Sequence, residues 1–100
     1  MRGVRRRLTM KLAPVDVLGR RLRKGDWARL IALPSDLSKS PAPVRRVFRR
    51  ALGLTFRVES FGRYGYAELD LTKKVAHLEF IYVEPYLLRR TRTRRAKGAV

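Results

Sequence analysis

The chain has no cysteine, which excludes disulfides, iron–sulfur clusters, thiolate zinc sites and cysteine nucleophiles. It has no long apolar run. Residues 30–33 and 80–83 are the longest candidates, far below the ~20 residues a membrane-spanning helix needs. The basic start lacks the apolar stretch of a secretory signal. An Arg-rich, acid-poor start also suits an organelle transit peptide, but such peptides are rich in Ser and residues 1–9 hold none. Cytoplasm is the expected location. The single histidine, His77, has only carboxylates to help it hold a metal, so it reads as a half-exposed strand residue. There is no Gly-rich phosphate loop and no Ser–His–Asp set. Neither enzyme activity nor a cofactor or metal is expected.

Acid is scarce too. Eight Asp and Glu stand against 25 Lys and Arg, a formal net charge of +17. Arg2, Arg5, Arg6 and Arg7 lie at one end; Arg89, Arg90, Arg92, Arg94, Arg95 and Lys97 lie at the other. Residues 10–88 stay basic without them. Such a chain repels itself unless anions surround it. A nucleic-acid backbone is the first such anion; an acidic protein surface or membrane leaflet comes next.

One hundred residues fit one domain. Residues 1–9 read as a basic arm and 91–100 as a basic tail, with a folded domain over 10–90. Charge runs with so little apolar content do not offset their ordering entropy, so both ends are expected to be disordered. Met10 is an alternative start. Between Lys11 and Lys24, Val15, Leu18 and Leu22 have helical spacing, but Pro14 and Gly19 interrupt it, which predicts a short helical turn or an irregular lead-in. Gly25-Asp26 signals a turn. A first strand over 27–33 follows, buried on both faces except at Arg29. Residues 34–43 form a loop rich in Pro and Ser.

Ser40-Pro41 predicts a helix over 41–52, with Ser40 as N-cap and Pro41 at the first position. Val44, Val47, Phe48, Ala51 and Leu52 make one apolar stripe, of which Val47, Phe48 and Leu52 are expected to anchor the helix, and Gly53 ends it. Beyond it, Leu54, Phe56 and Val58 alternate with Thr55, Arg57 and Glu59. Ala67, Leu69 and Leu71 alternate with Tyr66, Glu68 and Asp70. A third strand over 75–83 has two competing inward sets: Leu78, Phe80 and Tyr82, or Ile81 and Val83, which a bulge would reconcile. Glu84-Pro85 breaks it, and a short last strand follows a turn.

Two phrases in this order of elements are similar to those of the Src-homology-three-like small barrels. Gly25-Asp26-Trp27-Ala28-Arg29-Leu30 resembles the phrase that opens their first strand. Val83-Glu84-Pro85-Tyr86-Leu87-Leu88 resembles the one-turn helix before their last. The likeness spans roughly residues 24–90 and implies a mainly β, five-stranded barrel, with the helix inserted after the first strand. The acidic, Tyr-rich loop with which signalling members grip Pro-rich peptides is absent. The resemblance also takes in ribosomal and transcription-factor barrels that contact RNA, and barrels that are structural subunits of metalloenzymes.

The expected function is a non-catalytic nucleic-acid-binding module for RNA or a ribonucleoprotein. The alternative is a subunit that docks an acidic protein partner. The candidate contacts are Arg45, Arg46, Arg49 and Arg50 on the helix, Arg57 and Arg63 in the sheet region, and Arg89, Arg90, Arg92, Arg94 and Arg95 near the end. Tyr64, in the Phe61–Tyr66 stretch, offers a ring for an unpaired base or a cap on the barrel edge. Trp27 reads as core. Glu68, Asp70, Glu79 and Glu84 are expected to pair with Arg57, Arg63 or Lys73 across strands.

Overall fold

The computed structural model describes residues 11–72 and 80–91. Five strands form one antiparallel sheet: β1 Trp27–Leu30, β2 Thr55–Phe61, β3 Ala67–Asp70, β4 Phe80–Val83 and β5 Leu88–Arg90. Their spatial order is β4-β3-β2-β1-β5. A helix, α1 Ala42–Ala51, lies between β1 and β2, and a 3-10 turn, Pro85–Leu87, leads into β5. Among the described residues no ladder joins β4 to β5, so the sheet is not closed by hydrogen bonds. No described helix is long and apolar enough to cross a membrane.

Period-two alternation builds the core. Ala28 and Leu30, Phe56 and Val58, Ala67, Leu69 and Leu71, Ile81 and Val83, and Leu88 are all buried. Val58 pairs with Leu69 but Ser60 pairs with Glu68, so Glu59 is a bulge. Residues before it pair with β1 and residues from Val58 onward with β3. A bulge bends its strand and sharpens the twist, so β2 serves both halves of the sheet.

The first strand is shorter and more one-sided than its sequence predicts. It ends at Leu30, Arg29 is exposed and Ile31 is 38% exposed. The backbone of Ile31 then bonds to Leu87 O at 3.0 Å, at the 3-10 turn. Only one face of an antiparallel sheet needs covering, and the outer face of β1 stays in water. In β4 the Ile81–Val83 set wins; Phe80 and Tyr82 are 45% and 54% exposed. The remaining part of that predicted strand lies outside the described residues, as do the N-terminal arm and the tail beyond Thr91.

The helix begins one residue later than predicted. Pro41 is the N-cap, without a side-chain cap bond, and Ser40 instead donates its N–H to Leu37 O at 2.9 Å. Pro43 sits in the first turn, where a missing N–H costs nothing. Only part of the apolar stripe is used. Phe48 and Ala51 are buried and Val47 packs against the core, but Val44 and Leu52 are 39% and 41% exposed. Leu52 fails as an anchor because it is already the C-cap, leaving the helix ahead of Gly53 at φ 88°.

The lead-in takes the irregular form of the two expected, without a helical turn. Residues 14–22 fold back on themselves, with Val15 bridged to Arg21 and Leu22 N bonded to Pro14 O at 2.7 Å. Leu22 is buried whereas Leu18 is exposed. At the base of this loop sits Asp16, the one buried charged group among the described residues. Its Oδ1 accepts the N–H groups of Leu18 (3.0 Å) and Arg20 (2.8 Å). Its Oδ2 accepts the N–H of Arg90 at 2.7 Å, so one carboxylate fastens the lead-in to β5.

Candidate nucleic-acid interface

The lead-in reaches past the β2–β3 turn, where Leu12 N donates to Tyr64 O at 2.8 Å. Between these segments lies a cleft of about 520 Å³. Lys11, Arg21, Arg23 and Lys24 line it, with Phe61, Gly62 and Gly65 on the turn side. No carboxylate lines it. Among the described residues none of these four cations forms an ion pair; the Arg20–Asp16 contact, at 3.3 Å, involves a neighbour. The wall that carries Arg23 and Lys24 is fixed by its backbone. Asp26 Oδ2 accepts the Arg23 N–H at 2.8 Å, and Gly25 N donates to Val58 O at 2.7 Å. Four unneutralised cations held around one concavity focus positive potential there.

Gly65 keeps the opposite wall in place. Its φ is +89°, and an added Cβ would lie 2.4 Å from Leu12 O and 2.8 Å from Leu12 N. Gly65→Ala is therefore expected to cost ~1–3 kcal/mol in backbone strain and to push Leu12 off the turn. Gly53→Ala has the same strain but nothing within 4 Å of the new atom, and serves as the control. Amide exchange at Leu12 should accelerate in the first variant and not in the second. Equal protection in both would remove Gly65 from this role.

The residues singled out from sequence are dispersed. Arg46, Arg49 and Arg50 are exposed on α1, whereas Arg45 turns back and donates from Nη1 to Ser40 O at 2.5 Å. Arg63 stacks over the ring of Tyr64, 5.7 Å from its centroid, beside the cleft. Arg57 is exposed on β2 opposite Trp27. Arg89 is exposed on β5 directly opposite Arg29 of β1. Arg90 is occupied: its N–H is on Asp16, its Nη1 donates to Arg21 O at 3.1 Å, and its carbonyl accepts from Arg20 Nη2 at 2.6 Å. Arg92, Arg94 and Arg95 lie outside the described residues.

Glu68 and Glu84 form none of the expected cross-strand ion pairs among the described residues, and Lys73 lies outside them. Glu68 accepts the Ser60 hydroxyl at 2.6 Å and the Tyr82 hydroxyl at 3.4 Å. The register explains this, because Ser60 and Tyr82 flank Glu68 on the same sheet face while Arg57 lies beyond the bulge, on the β1 side. Trp27 is half-buried rather than core. No group of three or more His, Asp or Glu residues that could hold a metal occurs among the described residues. His77 and Glu79 lie outside them.

The helical spacing of Val15, Leu18 and Leu22 masks the cleft cations in the sequence. Four basic side chains in the five residues Arg20-Arg21-Leu22-Arg23-Lys24 were the readable signal. No protein-family model, curated protein or solved structure matches the chain.

Proposed function

We propose that this chain is a non-catalytic nucleic-acid-binding module that grips phosphates, with RNA or a ribonucleoprotein as its partner. The observation that carries this reading is the acid-free cleft of Lys11, Arg21, Arg23 and Lys24, with Phe61 inside and the Arg63–Tyr64 stack next to it. Cations supply affinity for phosphate oxygens and aromatic rings supply stacking surface for bases. The scaffold reads as a small Src-homology-three-like barrel. Supporting this are the strand order, with β5 beside β1, the bulged β2 and the 3-10 turn that feeds β5.

The test is the salt dependence of binding. Each neutralised phosphate contributes about −0.7 to the slope of log K against log salt on a single strand and about −0.9 on duplex. Replacing Lys11, Arg21, Arg23 and Lys24 together by Gln should flatten the slope by ~2–3 and weaken binding to all sequences alike. Replacing Arg46, Arg49 and Arg50 by Gln tests α1 separately and should flatten it less. An unchanged slope in the cleft variant would take the cleft out of the interface.

A second reading, a subunit docking a protein partner, has one observation in its favour. An apolar groove of about 350 Å³ runs between Val44 and Val47 of α1 and Phe80 and Tyr82 of β4. If the parent binds no nucleic acid at ~0.15 M salt, where the Debye length is ~8 Å, this reading takes the place of the first.

A further inference from the structure

We infer that the ligand is a single strand, and that its backbone leaves the cleft past Arg57 onto a paired-arginine site, Arg29 and Arg89, on the outer face of the sheet. This rests on the nucleic-acid reading and narrows it to one class of ligand.

The connection is geometric. Lys24, on the cleft wall, is followed by Gly25, where the guanidinium of Arg57 lies 3.9 Å from the position a Cβ would take. Arg57 thus sits over the vacancy left by the glycine, at the rim where the cleft gives way to the sheet. Gly25 and Asp26 already pair with Val58 through Gly25 N to Val58 O at 2.7 Å and Val58 N to Asp26 O at 2.8 Å. The ladder therefore runs unbroken from the rim into β1. The chain turns at Lys24–Gly25, where Asp26 N bonds back to Arg23 O at 3.0 Å, and from Asp26 to Arg29 it runs extended for ~10 Å at ~3.3 Å per residue. Along that path stand Lys24, Arg57 and then the Arg29–Arg89 pair.

That pair has no evident reason in the free fold. Residues directly opposite on one sheet face bring their Cβ atoms to ~4.5–5.5 Å, and like charges there are unfavourable. Arg29 faces Arg89 on one side and Thr55 on the other, and neither arginine forms an ion pair among the described residues. Two guanidinium forks side by side match the oxygens of one phosphate, which would relieve the repulsion.

The cleft selects the strandedness. At about 520 Å³, between the lead-in and the β2–β3 turn, it has the size of a small-ligand pocket. Its apolar lining is Leu12, Pro14, Leu22 and Phe61, with Phe61 the aromatic ring among them, and Tyr64, 47% exposed, stands beside it. An unpaired base can enter and stack there; a base paired within a duplex cannot.

Fluorescence anisotropy with oligouridylates of about four and about twelve nucleotides, and with an RNA duplex of the longer length, tests this. The longer single strand should bind at least about tenfold more tightly than the duplex. The double variant R29Q/R89Q should weaken the longer strand by about fivefold or more and leave the shorter one within about twofold. Its melting temperature should hold or rise, because a like-charge contact is gone. Duplex binding as tight as the single strand, or equal weakening of both lengths, or no weakening of the longer one, overturns the inference while leaving nucleic-acid binding intact. If neither strand nor duplex binds the parent, the broader reading falls and this one with it.

Discussion

Alanine at position 48 is expected to destabilise the domain by ~3–5 kcal/mol, most or all of the stability of a fold this small. Phe48 is 8% exposed and is the largest side chain that α1 contributes to the core. Little else holds the helix. It is ten residues long, shorter than the ~12–15 needed for a marginal helix in water. No acidic residue stabilises its first turn, although Arg49 and Arg50 suit the dipole at its end. Arg45 and Arg46 each stand four residues before another arginine, and each such pair repels by a few tenths of a kcal/mol. Removing the ring should unwind the helix and scatter Arg46, Arg49 and Arg50. Urea melts followed by circular dichroism measure this. Leu52→Ala, at an exposed C-cap, should cost less than ~1 kcal/mol in the same experiment. A Phe48→Ala cost that small would mean the helix is held by something other than its apolar stripe.

Local pattern made some of this structure legible and hid the rest. The alternation of Ala67, Leu69 and Leu71 identified their strand face because each residue carries the signal itself. The same logic recovered the buried Phe56 and Val58, the turn at Pro85 and the helix stop at Gly53. It overextended β1, since Ile31 and Leu33 are as apolar as core residues but follow the point where the chain leaves the ladder. Part of the charged surface was legible as composition: Arg57, Arg63 and Arg89 are exposed, as their charge requires. Its arrangement was not. That Arg29 faces Arg89 depends on a register between strands far apart in sequence. That Lys11 and Arg21 share a cleft depends on a lead-in whose fold is closed by Asp16. The Asp16 contact to Arg90 spans 74 residues, and no window of sequence contains both.

Asp16→Asn gives that long contact a pH signature. Burial alone would raise the carboxyl pKa, but the N–H groups of Arg90, Arg20 and Leu18, together with the Arg20 guanidinium, outweigh it and hold the pKa below the usual carboxylate value. The folded state therefore favours the ionised form. Its contribution is fully present above the unfolded pKa near ~3.9 and is lost as pH falls through the lower folded value. Asparagine offers one acceptor where the carboxylate offered two. If its oxygen keeps the Leu18 and Arg20 N–H groups, its amide faces the Arg90 N–H, donor against donor. The lead-in turn then survives and its attachment to β5 does not. At pH 7 the variant should lose ~2–4 kcal/mol, because a charge-assisted bond is gone and a part-buried N–H is left without a partner. Thermal melts of parent and variant should show their widest gap near neutrality. The gap should begin to close only below about pH 4 and vanish below the lower folded pKa, where the folded parent is protonated and resembles the variant. A gap independent of pH would show that the charge of Asp16 is not what matters. Nucleic-acid affinity at neutral pH should fall with stability, since Arg21 reaches the cleft from the loop that Asp16 closes and its carbonyl is held by Arg90. A variant that loses the stability but keeps the affinity would show that the cleft assembles without this fastening.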